Sequence, residues 1–529
     1  MPLLIRNGEI ADGSGQPRYV ADILVRDGHI AGIGDMSKEH APTILDASGL
    51  IVAPGFIDVH SHADFTLPLQ PTADSMLHQG ITTAVVGNCG TSPSPLLSDT
   101  RESVVRAMQS ADRPIPWERW STFRSYIGHL GTTGISLNVA PLVGLGTIRA
   151  GVMGYANRHP SAGELRRMQA EVGRALECGA FGVSSGLIYP PGMYSSTEEL
   201  VSLVRAVGQA RGVYSSHIRN EGAGLADAVL EAIRVGREAG TSVEISHLKA
   251  MGRRNWHSFP AVLQAVEDAS LDGVNVHADV YPYLATSTTL SAMLPRWAQE
   301  GGRSEAVEKL GDPASRRQMA ADMRNTGLAR HADWSKVLIS RSPKRTDYEG
   351  RFVSELAERD GCTPIEWVFD ALRRTELSIG MIDFCISEDN LKQALRHPLT
   401  MVGTDGSGLS VEGPLSSGLP HPRSYGTCPR VLGRFVRAQG VLSLEAAVYK
   451  MTGMPAEKLR LKTRGILKKG NAADIVVFDP SRVIDRATYE SPHHYPEGII
   501  HVLVNGRFVI RDGVHTGARP GVPLQRASS

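Results

Sequence analysis

The sequence predicts an α/β protein: a (β/α)8 barrel of the TIM type, a small β-sandwich made from both chain ends, and a lid inserted before the last barrel strand. Three observations carry this. Eight short apolar runs, each ending in polar residues, punctuate the middle of the 529-residue chain. Amphipathic stretches closed by glycine lie between them. The two ends share a different texture, of short strands and tight turns.

At the N-terminus, "LLIRNGEIADG", "ADILVRDGHIAGIG" and "PTILDASGLIVAPG" are rich in Ile, Leu and Val and punctuated by Gly, Asp and Asn, which reads as strands joined by turns. "RGILKKGNAAD", "ADIVVFDP" and "HVLVNGRFVIRDG" repeat that texture near the C-terminus. Neither set closes a core alone, because two or three strands need a partner layer. The economical solution joins residues 1–54 and 465–529 in one sandwich and leaves 55–464 as the barrel domain.

The barrel strands are expected at "GFIDVHSH", "TTAVVGNCG", "ISLNVAPLVG", "AFGVSSGL", "GVYSSHIRN", "SVEISHLKA", "VNVHADVYPY" and "LTMVGTDGS". Between them, "ELRRMQAEVGRALECG", "TEELVSLVRAVGQARG" and "LADAVLEAIRVGREAG" place apolar residues at three- and four-residue steps, with glycine near each helix end. His217 and His247 are 30 positions apart, the length of one strand-helix unit. More than a hundred residues separate Tyr283 from the last strand, too many for one crossover helix. Residues 287–350 are therefore expected as an inserted lid over the barrel mouth.

Composition narrows the function. Fifty-six basic residues against 55 acidic ones leave a charge of +1, with no basic block or acidic tail. Nucleic acid and anionic membranes are poor partners for such a surface. Five cysteines at unrelated spacings argue against a disulfide framework and for a reducing compartment. The start "MPLLIRNGEIADGSGQ" lacks the apolar core of a signal peptide, and no run approaches the roughly 20 residues of a membrane span. A cytoplasmic protein acting on a small molecule is expected; the oligomeric state is open.

In a barrel of this kind, chemistry sits at the C-terminal ends of the strands. Those ends carry His60, His62, Cys89, His217, His247 and Asp405. His60 and His62 share a face, because residues i and i+2 of a strand point the same way. Burying so many polar groups without partners costs roughly 1–3 kcal/mol each. A divalent metal supplies the partners, and nitrogen, sulfur and oxygen together are donors that zinc accepts. Cys89 taken alone, in "TTAVVGNCGTSPSP", reads as a packing cysteine. The company of the other five makes it a candidate thiolate. His78, His129, His257, His397 and His501 fall in helix-like or loop contexts and stay outside the site.

"GFIDVHSH", the single histidines of strands five and six, and "GTDGS" together resemble the amidohydrolase superfamily. "GNCG", "SSGLIYPPG", "SSHIRNEG", "EISHLKA", "DVYPYLATST" and "HPRSYGTCPRVLG" make the chain similar, over nearly its whole length, to the N-acyl-D-amino-acid deacylases (D-aminoacylases). The resemblance implies that Cys89, His217 and His247 hold a tight zinc ion. His60, His62 and Asp405 would frame a weaker second metal position, with Asp405 as the proton shuttle. Many superfamily members bridge two metals with a carboxylated lysine at the end of strand four; "AFGVSSGLIY" has no lysine there, and Cys89 can take its place.

The implied reaction is hydrolysis of an N-acyl-D-amino acid to a carboxylate and a free D-amino acid by metal-activated water. The substrate's α-carboxylate needs a cation. Lys249 and Arg219 stand two residues beyond His247 and His217, and Arg423 follows the last strand. The resemblance favours Arg423 and Lys249, completed by Tyr281 and Ser287; Arg219 reads instead as half of an ion pair with Glu221. "GSGLSVEGPLSSGLP", after Asp405, is longer than the simplest relatives require and carries no cation, which disfavours acidic side chains. The rival readings are a cyclic-amide hydrolase resembling hydantoinases or dihydroorotases, and a non-catalytic scaffold. The missing strand-four lysine counts against the first, and the complete ligand set against the second.

Overall fold

In a computed structural model, residues 2–109, 112–325 and 327–526 are described. All eight expected runs form strands: Phe56–Asp58, Ile81–Val86, Asn138–Gly144, Gly182–Gly186, Val213–His217, Ser242–Ile245, Val276–Val280 and Thr400–Val402. Each pairs with the next in this order, all in parallel. A parallel bridge from Ser61 to Gly406 closes the last strand against the first, making a barrel. The strands read as continuous apolar runs because both faces are covered. All six residues of Ile81–Val86, for instance, are buried.

The outer helices follow the expected periodicity. Ala162–Glu177 starts at a capping box between Ser161 and Glu164, Thr197–Gln209 is capped by Ser196, and Leu225–Ala239 stops at the left-handed Gly240. Their apolar stripes, including Met168, Val172, Val204 and Val229, join the main core around the barrel.

The two chain ends do combine. Ile475–Phe478 pairs antiparallel with Ile51–Pro54, linking the C-terminal strands to the N-terminal ones in a nine-stranded sheet. Strand Leu3–Ile10 is irregular between Ile5 and Gly8, with Asn7 at positive φ. Its first half pairs with Thr43–Asp46 and its end with Ile51–Pro54. The sheet bends around its own core, where Ile5, Ile23 and Val52 meet Ile475 and Val477. The final segment leaves this sheet: Gly521 and Pro523 bridge to Ile135 and Val139 of the barrel.

The insertion runs past the expected limit at residue 350. Strand Gly380–Asp383 is the middle one of a three-stranded antiparallel sheet, between Thr286–Thr289 and Val337–Arg341. Helices Val353–Arg359 and Pro364–Arg374 add Leu356, Trp367 and Phe369 to its separate core. Residues 351–383 therefore belong to this unit, and the helix that feeds the last barrel strand is Glu388–Arg396. Apolar helical patterns look alike in either domain, so the sequence could not place that boundary. Among the described residues, no helix is long and apolar enough to cross a membrane.

Candidate metal centre and active site

Cys89 is aimed by backbone geometry. After strand Ile81–Val86, Gly87, Cys89 and Gly90 all take positive φ, at 78°, 52° and 74°. A Cβ on Gly87 would lie 2.2 Å from the Leu142 carbonyl oxygen, and one on Gly90 2.4 Å from the Gly186 nitrogen. Only glycine fits either place. Asn88 fastens the turn, donating to the Val85 carbonyl at 3.0 Å and accepting from Ser215 Oγ at 3.1 Å.

The six expected ligands converge. Cys89 Sγ lies 3.3 Å from His60 Nε2 and 3.6 Å from His247 Nε2. His247 Nε2 is 2.9 Å from His217 Nδ1. Asp405 Oδ1 is 3.1 Å from His62 Nε2 and 3.4 Å from His60 Nε2. The donor atoms form two groups, His60–His62–Cys89–Asp405 and Cys89–His217–His247, each spanning no more than 4.8 Å. Cys89 belongs to both. Among the described residues, the buried His217 Nε2 has no hydrogen-bond partner. Two anionic donors among four imidazoles fit a divalent metal.

The electrostatics agree. Burial pushes the Cys89 thiol up, but the imidazoles of His60, His217 and His247 outweigh it and hold the group well below the usual thiol range. Burial also opposes ionisation of Asp405, and Arg423, His247 and His60 together hold it well below the ordinary carboxylate range. Both groups are thus biased toward their anionic forms.

Two carboxylates face the candidate ligands: Asp279, which sequence reasoning missed, and Glu221, which it weighed only as a partner for Arg219. Asp279 Oδ2 faces His60 Nδ1 at 3.0 Å, and its Oδ1 accepts from the His247 backbone N–H at 2.9 Å. Glu221 Oε1 lies 3.0 Å from His247 Nδ1 and is also bound by Lys249. Such carboxylates fix the ring and tautomer of a metal-binding histidine. Arg219 does form an ion pair, but with Glu231 at 2.8 Å on helix Leu225–Ala239, not with Glu221. The one-turn outlook of the sequence favoured the nearer acid; the helix brings the farther one alongside.

One cavity of about 560 Å³ is lined by His62, Cys89, His217, His247 and Asp405 and by all four expected carboxylate binders, Lys249, Tyr281, Ser287 and Arg423. Arg423 Nη1 pairs with Asp405 Oδ2 at 2.8 Å, its Nη2 donates to the Ser287 carbonyl at 3.3 Å, and its guanidinium lies 4.7 Å over the Tyr281 ring. His421 holds this arginine: Nδ1 accepts from the Arg423 N–H at 3.0 Å while Nε2 donates to the Ala285 carbonyl at 3.0 Å. The Tyr281 hydroxyl is buried with no partner among the described residues, leaving a donor open to a ligand. The histidines set aside stay outside: His78 stacks on Tyr495 and His397 pairs with Glu267.

The profile of the amidohydrolase family matches residues 43–130 and 142–510. The chain is 37% identical to the N-acyl-D-glutamate deacylase of Alcaligenes xylosoxydans xylosoxydans, over 100% of this chain and 97% of that protein. It is 34% identical to the D-aminoacylase of the same organism, over 100% and 98%. The crystal structure of N-acyl-D-glutamate deacylase from Bordetella bronchiseptica, complexed with zinc and a phosphonate inhibitor, superposes with a TM-score of 0.84 at 36% identity, covering 99% of each chain. With its barrel, its ligand cluster and these full-length likenesses, the chain belongs to the amidohydrolase family, in its N-acyl-D-amino-acid deacylase branch.

Proposed function

We propose that this protein hydrolyses the amide bond of N-acyl-D-amino acids, releasing a carboxylate and a free D-amino acid with Asp405 as the general base and acid. The observation that carries the reading is the pair of donor groups joined at Cys89, with Asp405 ionised beside them in a cavity that also holds Arg423. Zinc suits the donors, held tightly by Cys89, His217 and His247, with a weaker second position framed by His60, His62 and Asp405. Bound there, it supplies Lewis acidity, acidifying water and polarising the substrate carbonyl.

The chain's own groups do the rest. Asp405 accepts the proton of the attacking water and passes it to the amine as the C–N bond breaks. Arg423 and Lys249 attract the α-carboxylate, and the Tyr281 hydroxyl and Ser287 complete its seat. Arg423 also keeps Asp405 ionised until the proton arrives. Lys249 is tied to Glu221, so it contributes charge while Arg423, aligned on Tyr281, presents the forked donor that a carboxylate fits.

The test measures bound metal on the purified protein and compares N-acetyl-D- with N-acetyl-L-amino acids and hydantoin. Release of D-amino acids, lost on chelation and restored by zinc, is the expected result. Turnover of the L-series alone, or of hydantoin but neither acyl series, overturns it.

A further inference from the structure

The cavity is larger than the reaction needs. Its volume of about 560 Å³ falls in the range of sites for drug-sized ligands, about 300–1,000 Å³. An N-acetyl amino acid with an aliphatic side chain has only roughly a dozen heavy atoms and leaves much of such a site empty. The cavity's lining is drawn from widely separated segments. Lys249, Tyr281 and Arg423 come from the sixth, seventh and eighth strand ends, whereas Met108, Arg113 and Ile115 belong to the excursion after the second strand. Tyr155 follows the third, and Arg303 and Ala306 belong to the lid.

The lining from these segments mixes apolar Met108, Ile115 and Ala306 with the polar Gln299 and with arginines. Arg341 is neutralised, because Asp112 grips its guanidinium and Ser417 donates to the same carboxylate at 2.9 Å. Arg113 and Arg303 are different. The Arg113 Nε is shielded from solvent with no hydrogen-bond partner among the described residues. Among the described residues, Arg303 donates only to the Ala107 carbonyl, at 3.2 Å, and Glu376, whose charge reaches it, is committed to Lys344 at 3.0 Å. Among the described residues, neither arginine forms an ion pair. Both side chains are partly buried and line the same cavity as the candidate metal ligands, where a cation without a counterion is costly.

We infer that Arg113, assisted by Arg303, forms a second carboxylate subsite, so that the preferred substrate carries an anionic group besides its α-carboxylate. This rests on the deacylase reading above and deepens it. The anion has two chemical sources: an acidic D-amino-acid side chain, or an acyl group that ends in a carboxylate. The loop after Asp405 carries no cation of its own; the cations come from two segments far away in the sequence.

The experiment compares kcat/KM of the zinc-loaded enzyme for N-acetyl-D-leucine, N-acetyl-D-glutamate and N-succinyl-D-leucine, in the native protein and in Arg113→Met, Arg113→Lys and Arg303→Met. The expected result is a tenfold or greater preference for one of the dianionic substrates over N-acetyl-D-leucine. That ratio collapses in Arg113→Met, is partly restored in Arg113→Lys and falls less in Arg303→Met. Which dianion is preferred identifies the source of the carboxylate. Hydrolysis of N-acetyl-D-leucine as fast as either dianion, or a ratio unmoved by Arg113→Met in a folded variant, overturns the subsite and leaves the deacylase reading standing. Failure to hydrolyse any of the three D-substrates overturns that reading as well.

Discussion

His60 and Asp279, 219 residues apart in sequence, face each other at 3.0 Å with both side chains fully buried. The same carboxylate accepts the backbone N–H of His247 at 2.9 Å, so one acid on the seventh strand sets the ring of one candidate ligand and the main chain of another. Asp279→Asn keeps the shape but can turn the wrong atom toward His60 Nδ1. Bound metal affinity should fall about 10–100-fold, as it does when such outer partners are lost. Metal titration of the variant checks this; an unchanged affinity would make Asp279 a packing residue only.

Gly186 supports Cys89 without being a ligand. A Cβ there would sit 2.0 Å from the Cys89 carbonyl oxygen, a backbone atom that cannot swing aside. Gly186→Ala should therefore displace Sγ and lower zinc content, although no donor atom has been removed. Elemental analysis of the purified variant is the measurement. Zinc content and rate equal to those of the native protein would show that the Cys89 turn is free to move.

Asp405→Asn removes the proposed base while keeping a side chain beside Arg423. The donor set retains Cys89, His217 and His247, so tight zinc should stay at close to its native level. The rate constant kcat should fall by about 10²–10⁴, the usual contribution of a positioned acid–base group. Comparing metal content and kcat in one preparation separates the roles: loss of both together would make Asp405 a principal ligand rather than the proton carrier.

The cluster of candidate ligands was legible because each is a polar residue at the end of an apolar run, a pattern that periodicity exposes. His60, Cys89, His217, His247 and Asp405 all fall where strand counting puts them. Asp279 was not legible, although it lies inside "VNVHADVYPY", because its importance comes from a contact between the first and seventh strands. Glu221 was noticed only as a neighbour for Arg219. Its true partners depend on how a loop folds back over His247. Strand Gly380–Asp383 was hidden for a related reason: four residues carry no period, and its pairing with Thr286–Thr289 spans about a hundred residues.

Beneath the site, on the same strand as Asp279, His277 gives a pH test of the fold. Burial, then the charges of Lys458 and Lys450, push this imidazole down from 6.5 to about 3. Its Nδ1 accepts from Lys458 Nζ at 3.2 Å, which requires the neutral ring. The unfolded chain takes up a proton near pH 6.5 that the folded protein refuses until about pH 3. The unfolded state therefore binds more protons across that window, and stability rises with pH there. The contribution is fully present above pH 6.5 and drains away as the pH falls toward 3. His277→Gln keeps an acceptor for Lys458 but cannot titrate, so its denaturation midpoint should decline less between pH 7.5 and pH 5 than that of the native protein. Parallel declines in the two proteins would place the acid sensitivity elsewhere in the fold.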